Sequence, residues 1–503
     1  MKERYRFFKN GLLLSLVALA MRTVAMLFGA FVTRTVGAEG TGLYTIIMTV
    51  YSFAVTLATS GISLTVTRLV AAVIGEGGDE RRILRGAILY SVGFGLLSGA
   101  GLYFGADYVA GRILSDSRAV LSLKILAFSL LPTALISVFS GYFVGVKRVS
   151  SNAATQVFGQ AVKIVVTVAL VMKAAPYGTT ASVSALCIGI ALTEALSFIM
   201  IFAEFCRDRK KHGVKHKEKT VADLGSVAKT AVPLALSSYV RSILLTIEHI
   251  LIPKRLRESG ESFSDSYAQY GILHGMALPL ILYPMSPLSS FAGLLVPEFA
   301  ADSSAKNKDR MNRIATEAIN TTLIYSVLIG VFIYFFSEEL GYVVYDSYEA
   351  GKYIAMLAPI IPIMYLDHVT DSMLKGVGEQ VYSMWVNISD SVLSVILVWV
   401  LIPKMGIGGY ALVIVIMEGY NFILSLIRLT KRVRFRLSLV QSLIFPAAAA
   451  AIAAALSKSI FRFSGASVNT LWLILEMIFF LSIFLSALFF ARAAVKSRKT
   501  SNI

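Results

Sequence analysis

The sequence predicts an all-α membrane protein with about fourteen transmembrane helices. Three observations carry this prediction. Apolar runs of about 20 residues recur from one end of the chain to the other, each long enough to cross a hydrocarbon core of ~30 Å. Charged residues make up only 15% of the 503 positions, whereas soluble domains carry about 25%. Lysine and arginine collect in alternate connecting segments, as the positive-inside rule requires.

The spans run approximately over 11–33, 42–73, 84–110, 120–146, 152–174, 180–206, 226–252, 269–300, 314–336, 351–376, 381–402, 407–430, 437–457 and 469–493. The second and eighth runs exceed one crossing, which predicts tilt or extension into the interfaces. One face collects Arg81, Arg82 and Arg85, then Lys147 and Arg148, the stretch 207–219, Lys306 to Arg313, Lys431 to Arg436 and Lys496 to Lys499. The segment between spans nine and ten is acidic, with Glu338, Glu339, Asp346 and Glu349. Both termini are therefore expected in the cytoplasm of a bacterial cell, on a multi-pass protein of the plasma membrane. Lys2, Arg4, Arg6 and Lys9 read as a cytoplasmic flank and not as a cleaved leader. Lys254, Arg255 and Arg257 fall on the opposite face as a local exception. The net charge of +17 is accounted for by topology, so no nucleic-acid partner is implied.

The chain also repeats itself at an offset of about 231 residues. Gly40 falls on Gly271, Arg82 on Arg313, Ile83 on Ile314 and Gly145 on Gly376. The expected organisation is a six-helix lobe over 1–221, a second over 222–430, and two appended helices with a cytoplasmic tail over 431–503. An even number of spans per repeat makes the repeats parallel, related by an axis along the membrane normal. Two such lobes would enclose a cavity that opens alternately to either side.

Nothing points to an enzyme. The phosphate-cradling glycine loop, the H-E-x-x-H zinc motif and Cys/His metal spacings are missing from the sequence. The clusters "GEGG" (75–78) and "GIGG" (406–409) lie at span boundaries and read as turns. Cys187 and Cys206 lie along one helix, roughly 28 Å apart, too far to bond. No cofactor or metal is expected, and sodium or protons are the candidate coupling ions.

Ionisable residues inside spans are functional candidates by default, because a cation in hydrocarbon costs roughly 2.5–3.5 kcal/mol. Arg22 lies about eleven residues into span one, roughly 16 Å of helix from either end, too deep to snorkel. Arg34 can reach the interface, so snorkelling and ligand binding remain open for it. Lys163 in span five and Arg241 in span seven complete the cationic set. Forked arginine donors and a lysine point charge suit an anion, above all a pyrophosphate. The alternative is that each cation pairs with a carboxylate, Lys163 with Glu194 or Arg241 with Glu248. The other intramembrane acids are Asp367, Asp371, Asp390, Glu418 and Glu476. Asp367 and Asp371 share one helix face at i,i+4, a spacing that suits a proton or sodium site. Glu194, Glu248 and His249 are further ion-coupling candidates, and His274 reads as a packing residue.

The stretch "TRTVGAEGTGLYTII", with Arg22-Thr23-Val24 upstream, resembles the first-helix signature of the SpoVB/MurJ-like polysaccharide-biosynthesis family of the MOP superfamily. Further matches follow in order: "SGYFVGVKRVSSNAATQVFGQAVKI", "PYGTTASVSAL" before Glu194, "IPKRL", "YGILHGMALPLILYP", "LVPEFA" and "MGIGGYAL". The resemblance implies two lobes around a V-shaped cavity. It also implies export of undecaprenyl-pyrophosphate-linked sugars such as lipid II, in contact with membrane lipids and with envelope-synthesis enzymes as candidate partners. The family's first-helix arginines match Arg22 and Arg34, and its fifth-helix base matches Lys163. The chain departs from the family where Ser140 replaces an arginine, where Gly159 replaces a glutamate, and where Glu248 stands for a more common aspartate. The competing reading is an ion-coupled multidrug antiporter of the same superfamily, although organic cations favour a cavity of carboxylates and aromatics over one holding Arg22 and Lys163.

Overall fold

The computed structural model describes residues 2–75, 80–146, 148–212, 224–305, 307–463 and 470–501. Lys147, Lys306, most of "GEGG" and the basic stretch 213–219 lie outside the described residues. So do the side chains of Lys2, Arg4, Arg6, Lys9, Lys496, Arg498 and Lys499.

All regular structure among the described residues is helical. The helices are α1 (Lys2–Thr59), α2 (Ile62–Gly75), α3 (Glu80–Tyr108), α4 (Ala119–Ala127), α5 (Leu130–Gly145), α6 (Val149–Ala174), α7 (Thr179–His212), α8 (Leu224–Glu258) and α9 (Phe263–Ile272). They continue with α10 (Leu278–Leu282), α11 (Met285–Ser304), α12 (Lys308–Phe335), α13 (Ser337–Tyr345), α14 (Tyr348–Leu357), α15 (Ile361–Gly376), α16 (Gln380–Thr430), α17 (Phe445–Phe463) and α18 (Thr470–Ser501).

Among the described residues, nine helices are long and apolar enough to cross a membrane, or eleven if two bent pairs each count as one span. The fourteen expected spans do not all appear as separate helices, because α1 and α16 run through breaks at Gly37 and Gly406. Both glycines have positive φ, 77° and 57°, which a side chain disfavours. The breaks fall where the sequence separates spans one and two, and spans eleven and twelve. The two over-long runs are broken instead of merely tilted. The first is interrupted at Ser60 and Gly61, which both take positive φ. The second bends by 59° between Leu282 and Met285.

Contacts divide the chain into an N-terminal unit, Thr35–Gly271, and a C-terminal unit, Met1–Arg34 with Ile272–Ile503. This partition by contact differs from the partition by repeat. The first span groups with the C-terminal unit, and α8, first helix of the second repeat, packs on α2 and α3 of the N-terminal unit.

In the N-terminal unit, Ile62, Val66, Val70, Val138, Phe139, Phe143, Ile201 and Phe205 form the core. Gly141 and Gly145 bring α5 against the backbone of α2 at Ser63 and Thr67. A second close approach joins α1 to α9: a Cβ on Gly42 would overlap the Tyr267 carbonyl, and one on Gly271 would overlap the backbone of Ala38 and Gly42. In the C-terminal unit, Ala450, Ala453 and Ala454 of α17 form a flat face against Phe336, Phe480 and Phe484. Short side chains allow such packing where the hydrophobic effect between helices is weak.

The loop after each repeat's fourth span is tied down by charge. In the N-terminal unit, Arg148 pairs with the buried carboxylate of Asp208, which also accepts from the Tyr142 hydroxyl at 3.0 Å. In the C-terminal unit, Glu379 accepts from Arg428 at 2.7 Å and from Arg432 at 2.6 Å.

Candidate functional site

In the C-terminal unit one expected site residue, Arg22, lies at the break between α10 and α11. Pro284 and Pro287 carry no N–H, so the carbonyls of Leu280 and Tyr283 lose their helical donors. Side chains donate to the carbonyls around the break, and the Tyr283 carbonyl also accepts from the Ser286 N–H at 3.1 Å. Tyr365 donates to the Ile281 carbonyl at 2.8 Å, Tyr325 to that of Pro284 at 2.6 Å, and Ser286 to that of Tyr283 at 2.7 Å. Arg22 donates from Nη2 to the Leu282 carbonyl at 3.2 Å, and the Thr23 hydroxyl meets that of Tyr283 at 2.8 Å. Broken spans survive in lipid only when freed backbone groups are satisfied in this way. Arg22 thus occupies the carbonyl end of a half-helix, where the macrodipole favours a cation. Its guanidinium is exposed and has no carboxylate partner among the described residues.

Arg34 is placed differently. Its Nε donates to the Val344 carbonyl at 2.9 Å and its Nη2 to that of Val343. These are among the last carbonyls of α13, which ends at Asp346 in a left-handed conformation. The guanidinium therefore caps a helix C-terminus.

Asp371 is engaged by Lys375 at 2.6 Å and by the Ser383 hydroxyl. Asp367, one turn earlier, keeps a buried Oδ1 with no hydrogen-bond partner. Asp390 and Glu418, both on α16, lie within electrostatic reach of Asp367. Sequence reasoning noted these two acids but did not join them to the Asp367 site, because residues so distant along the chain share no periodic signal. His274 meets the Tyr410 hydroxyl at 2.9 Å, a helix-packing contact.

In the N-terminal unit, close contacts of Gly159 with Ser197 and of Gly189 with Thr167 fix α6 antiparallel to α7. Lys163 therefore falls level with Thr193. Yet Glu194 accepts from Thr133 at 3.3 Å, and Lys163 makes no ion pair among the described residues. Arg241 is exposed on α8 between the exposed apolar residues Val240 and Ile243. It too lacks an ion pair among the described residues. Glu248 is buried, and His249 Nδ1 meets the Tyr270 hydroxyl at 2.8 Å. The pairs Lys163–Glu194 and Arg241–Glu248, left open by the sequence, are not formed. At the sequence's topological exception, Arg255 is buried and pairs with Glu258, and Arg257 lies over the Phe263 ring at 5.2 Å.

The profile of the family described as "Polysaccharide biosynthesis protein" matches residues 7–301. The chain belongs to this family. A second profile, MatE, matches residues 279–400. Stage V sporulation protein B of Bacillus subtilis (strain 168) is 24% identical over 81% of this chain and 80% of its own length. Among solved structures, the lipid II flippase MurJ in an inward closed conformation superposes with TM-score 0.69 at 15% identity, covering 95% of this chain and all of its own. An inward-facing MATE multidrug resistance transporter gives 0.64 at 16%, covering 83% of this chain and 98% of its own. The fold is that of these solved structures, and the chain is a multi-pass membrane protein of the polysaccharide biosynthesis family.

Proposed function

We propose that this member of the polysaccharide biosynthesis family exports undecaprenyl-pyrophosphate-linked cell-wall or polysaccharide precursors, lipid II or its like, across the bacterial plasma membrane. Transport proceeds by alternating access between the repeat lobes 1–221 and 222–430, with 431–503 appended and both termini cytoplasmic. Arg22, Lys163 and Arg241 hold the pyrophosphate. Arg34 contributes at the end of span one, where its capping of α13 already uses two of its donor groups.

One observation carries the reading. Arg22, Lys163 and Arg241 sit on apolar helices with no carboxylate within ion-pair distance among the described residues. Cations left without countercharge in hydrocarbon are costly, and an anionic head group supplies the missing charge. Such a head group cannot cross alone, since desolvating it costs tens of kcal/mol.

Asp367 and Asp371, with Asp390 and Glu418, are the proposed coupling-ion site, and Glu194, Glu248 and His249 are secondary candidates. Carboxylates crowded in hydrocarbon repel unless a proton or sodium ion joins them. The second reading, a cation-exporting antiporter, draws on this acidic group and on the MatE match over the same helices. Envelope-synthesis enzymes are the proposed partners.

The test is complementation of cells depleted of their lipid II flippase. Growth supported by the wild-type chain and lost with Arg22→Ala at equal protein level is the expected result. Equal growth with both would remove Arg22 from the site, and no growth with either would favour another glycan or the antiporter.

A further inference from the structure

We propose that Tyr325 and Tyr365 are positioning residues for Arg22, and that the Leu282 carbonyl is where its guanidinium rests when no anion is bound. The proposal rests on the reading of Arg22 as a head-group ligand and adds how that ligand is held and released.

Four consecutive carbonyls at the break between α10 and α11, those of Ile281, Leu282, Tyr283 and Pro284, accept from side chains. Three are taken by neutral hydroxyls from Tyr365, Ser286 and Tyr325, at 2.6–2.8 Å. Only the Leu282 carbonyl is taken by a charged group, and its bond to Arg22 is the longest of the four at 3.2 Å. The two tyrosines come from different helices, α15 and α12, and their rings stack with centroids 6.2 Å apart. The Tyr365 ring is fully buried. These donors fix the carbonyls on both sides of Leu282, and so set the position of the Leu282 oxygen.

Arg22 is pinned at its neighbour and loose at its tip. The Thr23 hydroxyl bond to Tyr283 fastens this turn of α1 to the break. Among the described residues the Arg22 guanidinium makes a single long bond, and it is otherwise exposed. A phosphate oxygen binds a guanidinium by charge and by forked hydrogen bonds, and a carbonyl offers only a dipole. An arriving anion therefore displaces the Leu282 carbonyl with a side-chain swing and no helix movement. After the anion leaves, the carbonyl recaptures the guanidinium and spares it an unpartnered state in an apolar setting.

The experiment uses the purified full chain in detergent. Phenylglyoxal labelling of Arg22 is followed by peptide mass spectrometry, with Arg428 as internal reference. Tyr365→Phe should speed Arg22 labelling about threefold or more and leave Arg428 unchanged. Tyr325→Phe, the second variant should the first fold poorly, should act in the same direction. In parallel, binding of undecaprenyl pyrophosphate is measured. Tyr365→Phe should tighten it about threefold in the wild-type background, because the competing carbonyl is misplaced, and should change nothing when combined with Arg22→Ala. Unchanged Arg22 labelling in both variants overturns the proposal, as does weakened binding, an effect of Tyr365→Phe on binding that persists in the Arg22→Ala background, or a parallel rise in Arg428 labelling. Faster Arg22 labelling in a protein that does not bind undecaprenyl pyrophosphate upholds the positioning and overturns the head-group reading.

Discussion

The two repeats close the same joint with opposite charge. The offset that aligns them sets Arg148 on Glu379. In the N-terminal unit a base in this loop meets an acid at the end of α7, and in the C-terminal unit an acid meets two bases at the end of α16. The joint requires an ion pair, and either polarity serves. Buried charge behaves differently. The same offset sets Asp371 on Ser140, Asp390 on Gly159 and Glu418 on Cys187. The acids of the second repeat thus have neutral counterparts in the first, while Lys163 of the first falls on Ser394 of the second. Charge at the joint is architectural and interchangeable, whereas charge within the spans is specialised to one repeat.

The largest effect is expected where helices of both repeats cross within the N-terminal unit. Gly42→Val or Gly271→Val would drive a side chain into backbone, at about 3 kcal/mol or more. Loss of monodisperse protein on size-exclusion chromatography checks this. Gly93→Ala and Gly101→Ala, where nothing lies within 4 Å of the added carbon, should leave the profile unchanged.

Next comes the joint. Glu379→Ala should cost about 2 kcal/mol, below the 3–5 of a fully buried pair because Arg428 and Arg432 both reach solvent. Hydrogen bonds from Arg428 and Arg432 hold the Glu379 carboxyl below its ordinary range. Its contribution to stability is therefore complete above the unfolded-state value of about 4.3 and is lost as pH falls through the lower folded-state value. The gap in thermal midpoint between wild type and Glu379→Gln should close on that acidic side and stay constant from pH 6 to 8.

Arg148→Glu, which sets a second acid against the buried Asp208 carboxylate, should destabilise by about 2 kcal/mol, and adding Asp208→Arg should recover most of it. Failure of the reversed pair to recover would mean that polarity at the joint is not interchangeable. The smallest effect on stability, near zero, is expected for Glu418→Cys, which copies the first repeat. It should abolish the dependence of transport on the coupling ion, read as uptake into vesicles with and without a sodium or proton gradient.

Much of this was legible in the sequence, for local reasons. The breaks at Gly37 and Gly406 lie in glycine-containing stretches, "GAEG" and "GIGG", and glycine alone favours the positive φ found there. The prolines at 284 and 287 announce trouble in span eight, but not which side chains rescue its carbonyls, because Arg22, Tyr325 and Tyr365 arrive from three other helices. Arg34 was visible as a cation near the end of its span, and its capping of α13 depends on a helix some three hundred residues away. Asp367 and Asp371 were read from their shared face. Asp390 and Glu418 join them only through the packing of α15 on α16. The break at Ser60 has no advance signal beyond Gly61, since a serine in left-handed conformation is set by its surroundings. Here the Tyr90 and Tyr239 hydroxyls both bond Ser60.

The central claim is that the unpaired cations of the spans serve a lipid pyrophosphate. It is tested most directly by equilibrium binding of undecaprenyl pyrophosphate and of uncharged undecaprenol to the purified protein. The account predicts that the pyrophosphate binds at least about a hundredfold more tightly, and that Arg22→Ala, Lys163→Ala and Arg241→Ala each remove about tenfold of that preference, or ~1.4 kcal/mol. Equal affinity for the two lipids, or a preference untouched by all three substitutions, would contradict it.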